Sequence, residues 1–263
     1  MKTKFLHIAT ALLFAGFTSS CSDFLDRYPL DELSDSSFWK TENDAMMAVT
    51  DIYGCLPTWD QDEDINSDNA VHGIKWAAGN ISKGIYDPMD QSWAGSYTPI
   101  RQCNLVLEKV KDIEMSDESR KKIEGQAYFF RAFVYFNLIR SFGDVPYIDK
   151  PLNLTDVEDI TRTPREEVYA KVMADFDKAI EYLPEEWDAA NTPRVTKGAA
   201  LAMKARAALY YSNWQVAADA SKAVIDLGKY ELYDAGNTGK YQELFWEKSD
   251  GCDENILYVQ FNY

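Results

Sequence analysis

The sequence feature that most constrains the fold is a long apolar segment at residues 118–142. Its apolar side chains recur at helical spacing on two stripes, one made of Ile123, Ala127, Phe130, Val134 and Leu138, the other of Phe129, Phe133 and Phe136. A helix that is apolar over so much of its circumference is buried on most sides. Gly143 and Pro146 follow in the order that ends a helix. The segment therefore predicts a central helix with other elements packed around it.

Arg131 places a permanent charge inside this apolar segment. A buried guanidinium is tolerated when a carboxylate accepts its hydrogen bonds. We therefore expect a structural ion pair at Arg131, with a clamp on a bound ligand as the alternative.

Shorter amphipathic segments surround the central one. Helices are predicted to start near residues 37–39, near residue 97, at a capping box formed by residues 163–166, after Thr196, and at Asn213-Trp214. Short turns between such helices favour stacked antiparallel pairs. Residues 255–262 alternate in polarity like a strand.

One helix pair has a more specific pattern. Ala205, Ala208, Trp214 and Ala217 resemble a tetratricopeptide hairpin, in which small residues let two helices approach while an aromatic fills the bend. The predicted fold class is thus mainly α: tetratricopeptide-like helical hairpins with a long irregular loop region and few short strands.

The irregular region covers residues 54–92, which Gly and Pro interrupt repeatedly. Long loops in compact domains are often functional. Its aromatic residues lie among amide and carboxylate side chains, and this combination suits the flat apolar faces and hydroxyl groups of sugars. The candidate ligand-binding residues are Trp59, Trp76, Asn80, Tyr86 and Trp93. The alternative, that each ring anchors the loop to the helices, stays open.

The N-terminus predicts export. Lys2 and Lys4 precede an apolar run at residues 5–17, which is shorter than a membrane span, and small residues lead to Cys21. We predict a signal peptide at residues 1–20, lipid attachment at Cys21, a lipidated tether at 21–36 and a helical domain at 37–263. Because Thr18 stands where lipoprotein signals usually have an aliphatic residue, ordinary cleavage near Ser20 is the alternative.

Charge and motif content exclude several functions. The chain has 27 basic and 43 acidic residues and a formal charge of −16, so it repels nucleic acid. Only His7 and His72 are present, and no hydrolase, zinc or nucleotide motif occurs. Asp60, Asp62 and Asp64 have calcium-loop spacing, but Ile65 and Val71 replace the required Gly and Glu. We expect no enzyme activity, no metal and no cofactor.

Collinear motifs along almost the whole chain resemble the SusD/RagB family of outer-membrane nutrient-uptake lipoproteins. The matching stretches are residues 21–26 with Pro29, Phe38-Trp39 with Asp44-Ala45 and Tyr53, Trp93 with Tyr97, Ile100 and Cys103-Asn104, residues 126–135 running into 142–146, Arg162 with Pro164, residues 175–184, residues 194–197 and residues 214–230.

This resemblance implies a tetratricopeptide-like scaffold anchored on the outer face of the outer membrane. It implies a SusC-type TonB-dependent transporter as partner, capture of a glycan or similar nutrient, and no catalysis. Asp23 and Asp26 are similar to the family's surface-export signal. Family members also have a C-terminal half, so the sequence is expected to be a truncated N-terminal part with exposed apolar surface. A protein-binding helical scaffold, a lipid-anchored hydrolase and a non-functional fragment are the alternatives.

Overall fold

The computed structural model describes residues 38–56, 92–157, 159–233, 243–244 and 251–259. The chain divides into two units, residues 1–39 and 40–263. In the first unit only Phe38 and Trp39 are described, and their rings form an edge-to-face pair with centroids 5.1 Å apart. The helices α1 to α6 all lie in the second unit.

The described part of the second unit is built from helices. Its α-helices are α1 Glu42–Ile52, α2 Ser92–Lys109, α3 Asp117–Phe142, α4 Arg165–Tyr182, α5 Lys197–Tyr210 and α6 Trp214–Asp226, with short 3-10 turns at Tyr53–Cys55, Val110–Asp112 and Leu154–Asp156. Within the described residues the only strand-like pairing is an antiparallel bridge between Val145 and Thr163. The predicted mainly α fold class is confirmed.

Helix α3 lies at the centre and packs against α1, α2, α4 and α5. Ser116 caps its start by accepting a hydrogen bond from the Ser119 amide at 3.0 Å. Gly143 ends it with a φ of 70°, a conformation that glycine adopts without strain. Phe129, Phe130 and Tyr135 are fully buried, and burial of each such ring contributes about 1.5–3 kcal/mol. The prediction of a central helix is confirmed.

No described helix has a stretch that is both long and apolar enough to cross a membrane.

Helix α1 begins after a capping box. The Thr41 hydroxyl accepts from the Asp44 amide at 3.3 Å, and the Asp44 carboxylate accepts from the Thr41 amide at 2.8 Å. These bonds satisfy amides that the first helical turn leaves unpaired. The helix therefore starts at Glu42, later than the predicted residues 37–39.

The predicted capping box at Thr163 is wrong. Helix α4 begins at Arg165, and no side chain of its own N-cap, Pro164, closes it. Thr163 instead exchanges two backbone hydrogen bonds with Val145, at 2.9 and 3.2 Å. A carboxylate from the preceding loop takes over the capping role, because Asp144 Oδ1 accepts from the Arg165 amide at 2.9 Å.

The strand predicted at residues 255–262 is also wrong for the described residues 255–259. They are irregular, and the Asn255 amide donates to the Cys252 carbonyl in a turn at 2.9 Å. A strand needs a partner to bond its backbone groups, and the described residues supply none. Residues 260–262 lie outside the described part of the chain.

Helices α5 and α6 form the predicted hairpin. Ala205, Ala208 and Ala217 are buried at its contact, and the Asn213 amide donates to the Ala208 carbonyl at 2.8 Å. Trp214, however, is 64% exposed and does not fill the bend. Ile225 on the same face of α6 is 75% exposed, so this edge of the hairpin presents apolar side chains.

The charge of Arg131 is held by a buried network. Its Nε and Nη2 donate to the two Asp175 carboxylate oxygens, both at 2.7 Å, and its Nη1 donates to Asn104 Oδ1 at 2.8 Å. Asn104 Nδ2 donates in turn to the Ile148 carbonyl at 2.9 Å. The predicted structural ion pair is confirmed, and it joins α2, α3, α4 and the segment after α3.

We expect Asp175→Asn to lower the free energy of unfolding by about 3–5 kcal/mol, because it leaves a buried guanidinium without a counter-charge. Replacing both partners, by Arg131→Met with Asp175→Leu, removes the unpaired charge and is expected to cost less than the single change. Urea denaturation of both variants tests this. An Asp175→Asn variant as stable as the wild type would show that the pair does not stabilise the fold.

Candidate functional site

Most of the predicted site residues lie outside the described part of the chain. These are the predicted lipid-attachment residue Cys21, the candidate ligand-binding residues Trp59, Trp76, Asn80 and Tyr86, and the predicted surface residues Asp60, Asp62, Asp64 and His72. The signal peptide, the tether and the acidic pair Asp23 and Asp26 also fall there. Trp93 is the member of the candidate ligand-binding set that the structure describes.

Trp93 lies in the first turn of α2 and is half-buried. Its ring meets the Phe142 ring edge-to-face, with centroids 5.1 Å apart, and the Arg162 guanidinium lies 5.2 Å from its centroid. The neighbouring Tyr97 hydroxyl donates to the Pro146 carbonyl at 3.0 Å. These contacts fix the start of α2 against the end of α3. A ligand-binding role for Trp93 stays a prediction.

A cavity of about 400 Å³ lies between the end of α1, the first half of α2 and α3. Its walls carry the apolar residues Phe133, Val134 and Pro99, the polar residues Asp51, Thr98, Gln102 and Asn137, and the small residues Gly54 and Gly95. We call it the α1–α2 cavity. Its size suits a small polar ligand.

Pro99 shapes one wall of the α1–α2 cavity. It lies inside α2, where a proline has no amide hydrogen to donate to the carbonyl four residues earlier. That carbonyl belongs to Gly95, which also lines the cavity. The Gly95 carbonyl therefore lacks the amide donor that a regular helix would supply, at a residue that is exposed. A proline inside a helical pattern is the sequence signal that could have identified this wall.

The wall of the cavity at the end of α1, which contains Asp51, Gly54 and Cys55, is held in place by a second buried hydrogen-bond network. The Tyr53 hydroxyl donates to Gln126 Oε1 at 2.8 Å and accepts from the Val195 amide at 2.9 Å. Burial raises the pKa of Tyr53 to about 12, so the phenol stays neutral. Asp51 accepts a hydrogen bond from Gln102 across the wall. The polar groups of the cavity are therefore positioned before any ligand arrives.

The one thiol among the described lining residues of the cavity is a poor nucleophile. Cys55 lines the cavity, and burial raises the pKa of this thiol to about 12. A protonated thiol is a weak nucleophile. In the part of the chain that the structure describes, no cluster of His, Cys, Asp and Glu side chains could hold a metal ion.

Sequence reasoning missed Asp51, Thr98, Gln102 and Asn137 because isolated polar residues on helices have no motif. Phe133 was assigned to the core stripe of α3. Phe133 lies four residues before Asn137, so both side chains lie on the same face of α3. This spacing is the sequence signal that could have placed both residues in one cavity wall. The two cavity walls meet only in the folded chain, since Asp51 and Gln102 belong to different helices.

Stacked helices around a buried central helix, with a polar cavity beside it, define a helical-repeat scaffold for binding. The chain belongs to the SusD-like family: the sequence family SusD-like_3, described as starch-binding and associating with the outer membrane, matches residues 24–209.

Individual relatives agree with this assignment. SusD-like protein P2 of Formosa agariphila is 29% identical over 276 residues, which cover 99% of this chain and 53% of that protein. A crystal structure of a SusD-like protein from Bacteroides fragilis has a TM-score of 0.79 and 28% identity, over 90% of this chain and 48% of that one. A laminarin-binding SusD-like protein has a TM-score of 0.72 and 23% identity, over 83% and 51% of the two chains. The chain spans about half the length of these relatives.

Two glycine-to-alanine changes are expected to have opposite effects on stability. Among the described residues, a Cβ at Gly95 meets nothing within 4 Å, so Gly95→Ala is expected to raise the free energy of unfolding by about 0.5 kcal/mol through helix propensity. A Cβ at Gly125 comes within 3.0 Å of Leu183 Cγ and Tyr182 Cβ. Gly125→Ala is expected to lower stability by about 1–2 kcal/mol through overpacking. Urea denaturation of both variants measures the two changes in the free energy of unfolding. If both variants are destabilised, the space beside Gly95 is not open as described.

Proposed function

We propose that the protein is a cell-surface lipoprotein that binds a glycan or similar nutrient and delivers it to a TonB-dependent outer-membrane transporter of the SusC type. The observation that carries the binding step is the α1–α2 cavity, in a chain whose family is described as starch-binding and associating with the outer membrane. A structural relative described as laminarin-binding also supports it.

The cavity offers a sugar what its surface requires. A sugar ring has an apolar C–H face, which Phe133 can cover, and hydroxyl groups, which Asp51, Gln102 and Asn137 can bind. The Gly95 carbonyl adds an acceptor for a hydroxyl donor. These groups are neutral or acidic, so we propose a neutral glycan as the ligand.

The irregular region is flanked in the sequence by the two helices that supply walls of the cavity. Residues 57–91 connect α1 to α2, and both helices supply cavity walls. We propose that Trp59, Trp76, Asn80 and Tyr86 extend the binding surface from this segment, and that Trp93 contributes where α2 begins. In this proposal the binding surface combines the helical walls of the α1–α2 cavity with aromatic residues of the segment between α1 and α2.

Binding proceeds without chemical turnover in this proposal. The thiol that lines the α1–α2 cavity stays protonated, and no cavity residue forms a nucleophile–base pair with it. We propose that release into the transporter, rather than reaction, follows capture of the glycan.

A protein-binding scaffold is the second candidate, and one observation favours it. Leu209, Tyr210, Trp214 and Ile225 are each more than half exposed on the α5–α6 hairpin. Exposed apolar side chains of this size are typical of surfaces that bind protein. This candidate gains support if no glycan binds while a purified transporter of the SusC type still does.

Blocking the α1–α2 cavity is expected to abolish glycan binding. Gly95→Phe places a ring into the cavity without a Cβ clash, and affinity electrophoresis against starch and laminarin measures retention. We expect the wild-type protein to be retarded by at least one glycan and Gly95→Phe by none, because the ring occupies the sugar's volume. Gly95→Ala is the matched control and keeps the retardation. Equal retardation of Gly95→Phe and wild type would exclude this cavity as the glycan site.

Lipid attachment at Cys21 is expected to be lost in Cys21→Ser. An alkyne-bearing fatty acid fed to cells producing the full chain is expected to label the wild-type protein, because the acyl-bearing group is attached through the thiol of Cys21, the residue that becomes the N-terminus. Cys252→Ser, which removes a different free cysteine, serves as control and keeps the label. An unlabelled wild-type protein would instead support ordinary cleavage near Ser20.

A further inference from the structure

A second cavity, of about 390 Å³, lies between α2, α3, α4 and the segment that follows α3. It shares no lining residue with the α1–α2 cavity. Its floor contains the Arg131–Asp175 pair with Asn104, and its walls contain Tyr128 and Tyr147. We call it the Arg131 cavity.

The floor of the Arg131 cavity is rigid because its polar groups bond to one another. Asn104 Nδ2 donates to the Ile148 carbonyl at 2.9 Å and also approaches the Lys150 carbonyl at 3.5 Å. The Tyr135 hydroxyl accepts from the Ile148 amide at 2.7 Å. These bonds fix the segment that carries Tyr147, Asp149 and Lys150 to the cavity. The site is thus preorganised, which reduces the entropic cost of binding.

Arg131 keeps donor capacity after it has bound its protein partners. A guanidinium has five N–H groups. Within the described residues, three of them are directed to Asp175 and Asn104. Arg131 also lies 5.4 Å from the Tyr128 ring centroid, so a cation and an aromatic surface are presented together.

The charge balance of the Arg131 cavity is opposite to that of the chain. The whole chain has 43 acidic and 27 basic residues, whereas the cavity is lined by the cations Lys111, Arg131, Lys150 and Lys171 and by the acids Glu108, Asp149 and Asp175.

Several of these charges are already matched. Arg131 pairs with Asp175, Lys150 lies 3.7 Å from Asp156, and Glu108 lies 3.6 Å from Lys109. Lys111 and Lys171 form no ion pair within 4 Å in the described chain. Of the three acids that line the cavity, Asp149 is the one that is likewise in no ion pair there. The side chains that line the cavity therefore have a surplus of one positive charge, and Lys111 and Lys171 act on nearby acids only at longer range, Lys111 on Glu124 and Lys171 on Asp175.

The walls suit a ring. The Tyr147 ring packs on Tyr135 with centroids 4.9 Å apart, and Lys171 Nζ lies 6.0 Å from the Tyr147 centroid. Burial raises the pKa of Tyr147 to about 12, so its hydroxyl stays a neutral hydrogen-bond donor. A cation beside an aromatic face matches a ligand in which an anionic group adjoins an apolar ring face.

We propose that the Arg131 cavity is a second sugar site, specific for a uronic acid. Lys111, Lys171 and the remaining N–H groups of Arg131 bind the carboxylate, and Tyr128 and Tyr147 cover the sugar ring. This site is additional to the α1–α2 cavity proposed for a neutral glycan, and either site can be absent without the other.

The test is calorimetric titration of the purified full chain with digalacturonate and with its dimethyl ester, in which both carboxylates are esterified and the molecule is neutral. We expect digalacturonate to bind at least about tenfold more tightly, because the ester loses a charge-assisted hydrogen bond. Lys171→Gln is expected to weaken digalacturonate binding by about tenfold and to leave the ester unchanged. Lys178→Gln removes a lysine from the same helix outside the cavity and is expected to bind like the wild type.

Three outcomes would overturn the proposal: equal affinity for acid and ester, no effect of Lys171→Gln, or an equal loss in Lys178→Gln. Binding of galactose 6-sulfate in place of digalacturonate would also overturn it, since sulfate rather than carboxylate would then be the ligand group. Gly95→Phe separates the two sites, because it is expected to keep digalacturonate binding while it loses the neutral glycan.

Discussion

The buried pair of Arg131 and Asp175 is the interaction on which the rest of the structure depends. An ionised group inside a core needs a counter-charge and hydrogen-bond partners. Here the partners of Arg131 come from α2 and α4, and Asn104 in turn binds the segment after α3. Satisfying one guanidinium therefore fixes the relative positions of three helices. The apolar contacts around it are non-directional, whereas these hydrogen bonds tolerate little change in distance or angle. The pair gives the helical stack a defined geometry, and the same atoms form the floor of the Arg131 cavity.

Helix α3 also separates the two cavities. At about 100° per residue, Tyr128 with Arg131 and Phe133 with Asn137 face directions about 170° apart. The first pair lines the Arg131 cavity and the second lines the α1–α2 cavity. This explains why α3 is apolar over nearly its whole circumference and yet carries polar residues on two sides. A shift of α3 along its axis would alter both cavities, so the central helix must be held firmly from all sides, as its contacts with α1, α2, α4 and α5 achieve.

Local signals in the sequence predicted the elements better than their connections. The apolar stripes of α3, its end at Gly143 and the alanine contact of the α5–α6 hairpin follow from helical periodicity and residue size. The partner of Arg131 could not be identified, because Asp175 is one of many acidic residues and lies 44 positions away.

The Thr163 capping box failed for a related reason. Asp144, which is distant along the chain, caps α4, while Thr163 pairs with Val145. The strand pattern at 255–259 failed because alternation alone supplies no partner. The cavity walls likewise combine residues from separate helices. The sequence indicated sugar binding through its aromatic segment and through the family resemblance, which the SusD-like match confirms, but neither pointed to these walls.

Electrostatics at long and short range act in opposite directions on the ligand proposed for the Arg131 cavity. The formal charge of −16 repels an anionic sugar at distances of several ångströms, whereas Lys111 and Lys171 attract its carboxylate at contact. Salt screens the long-range repulsion between the chain and an anionic sugar almost fully. It screens the attraction between a carboxylate and a lysine inside a partly buried cavity much less. A neutral glycan experiences neither effect, so its approach to the α1–α2 cavity is independent of the chain's net charge. If both proposed sites bind their ligands, the acidic surface leaves the capture of neutral glycans independent of ionic strength and admits acidic sugars chiefly where salt shields the surface. One scaffold would then distinguish two ligand classes by charge before either reaches its cavity.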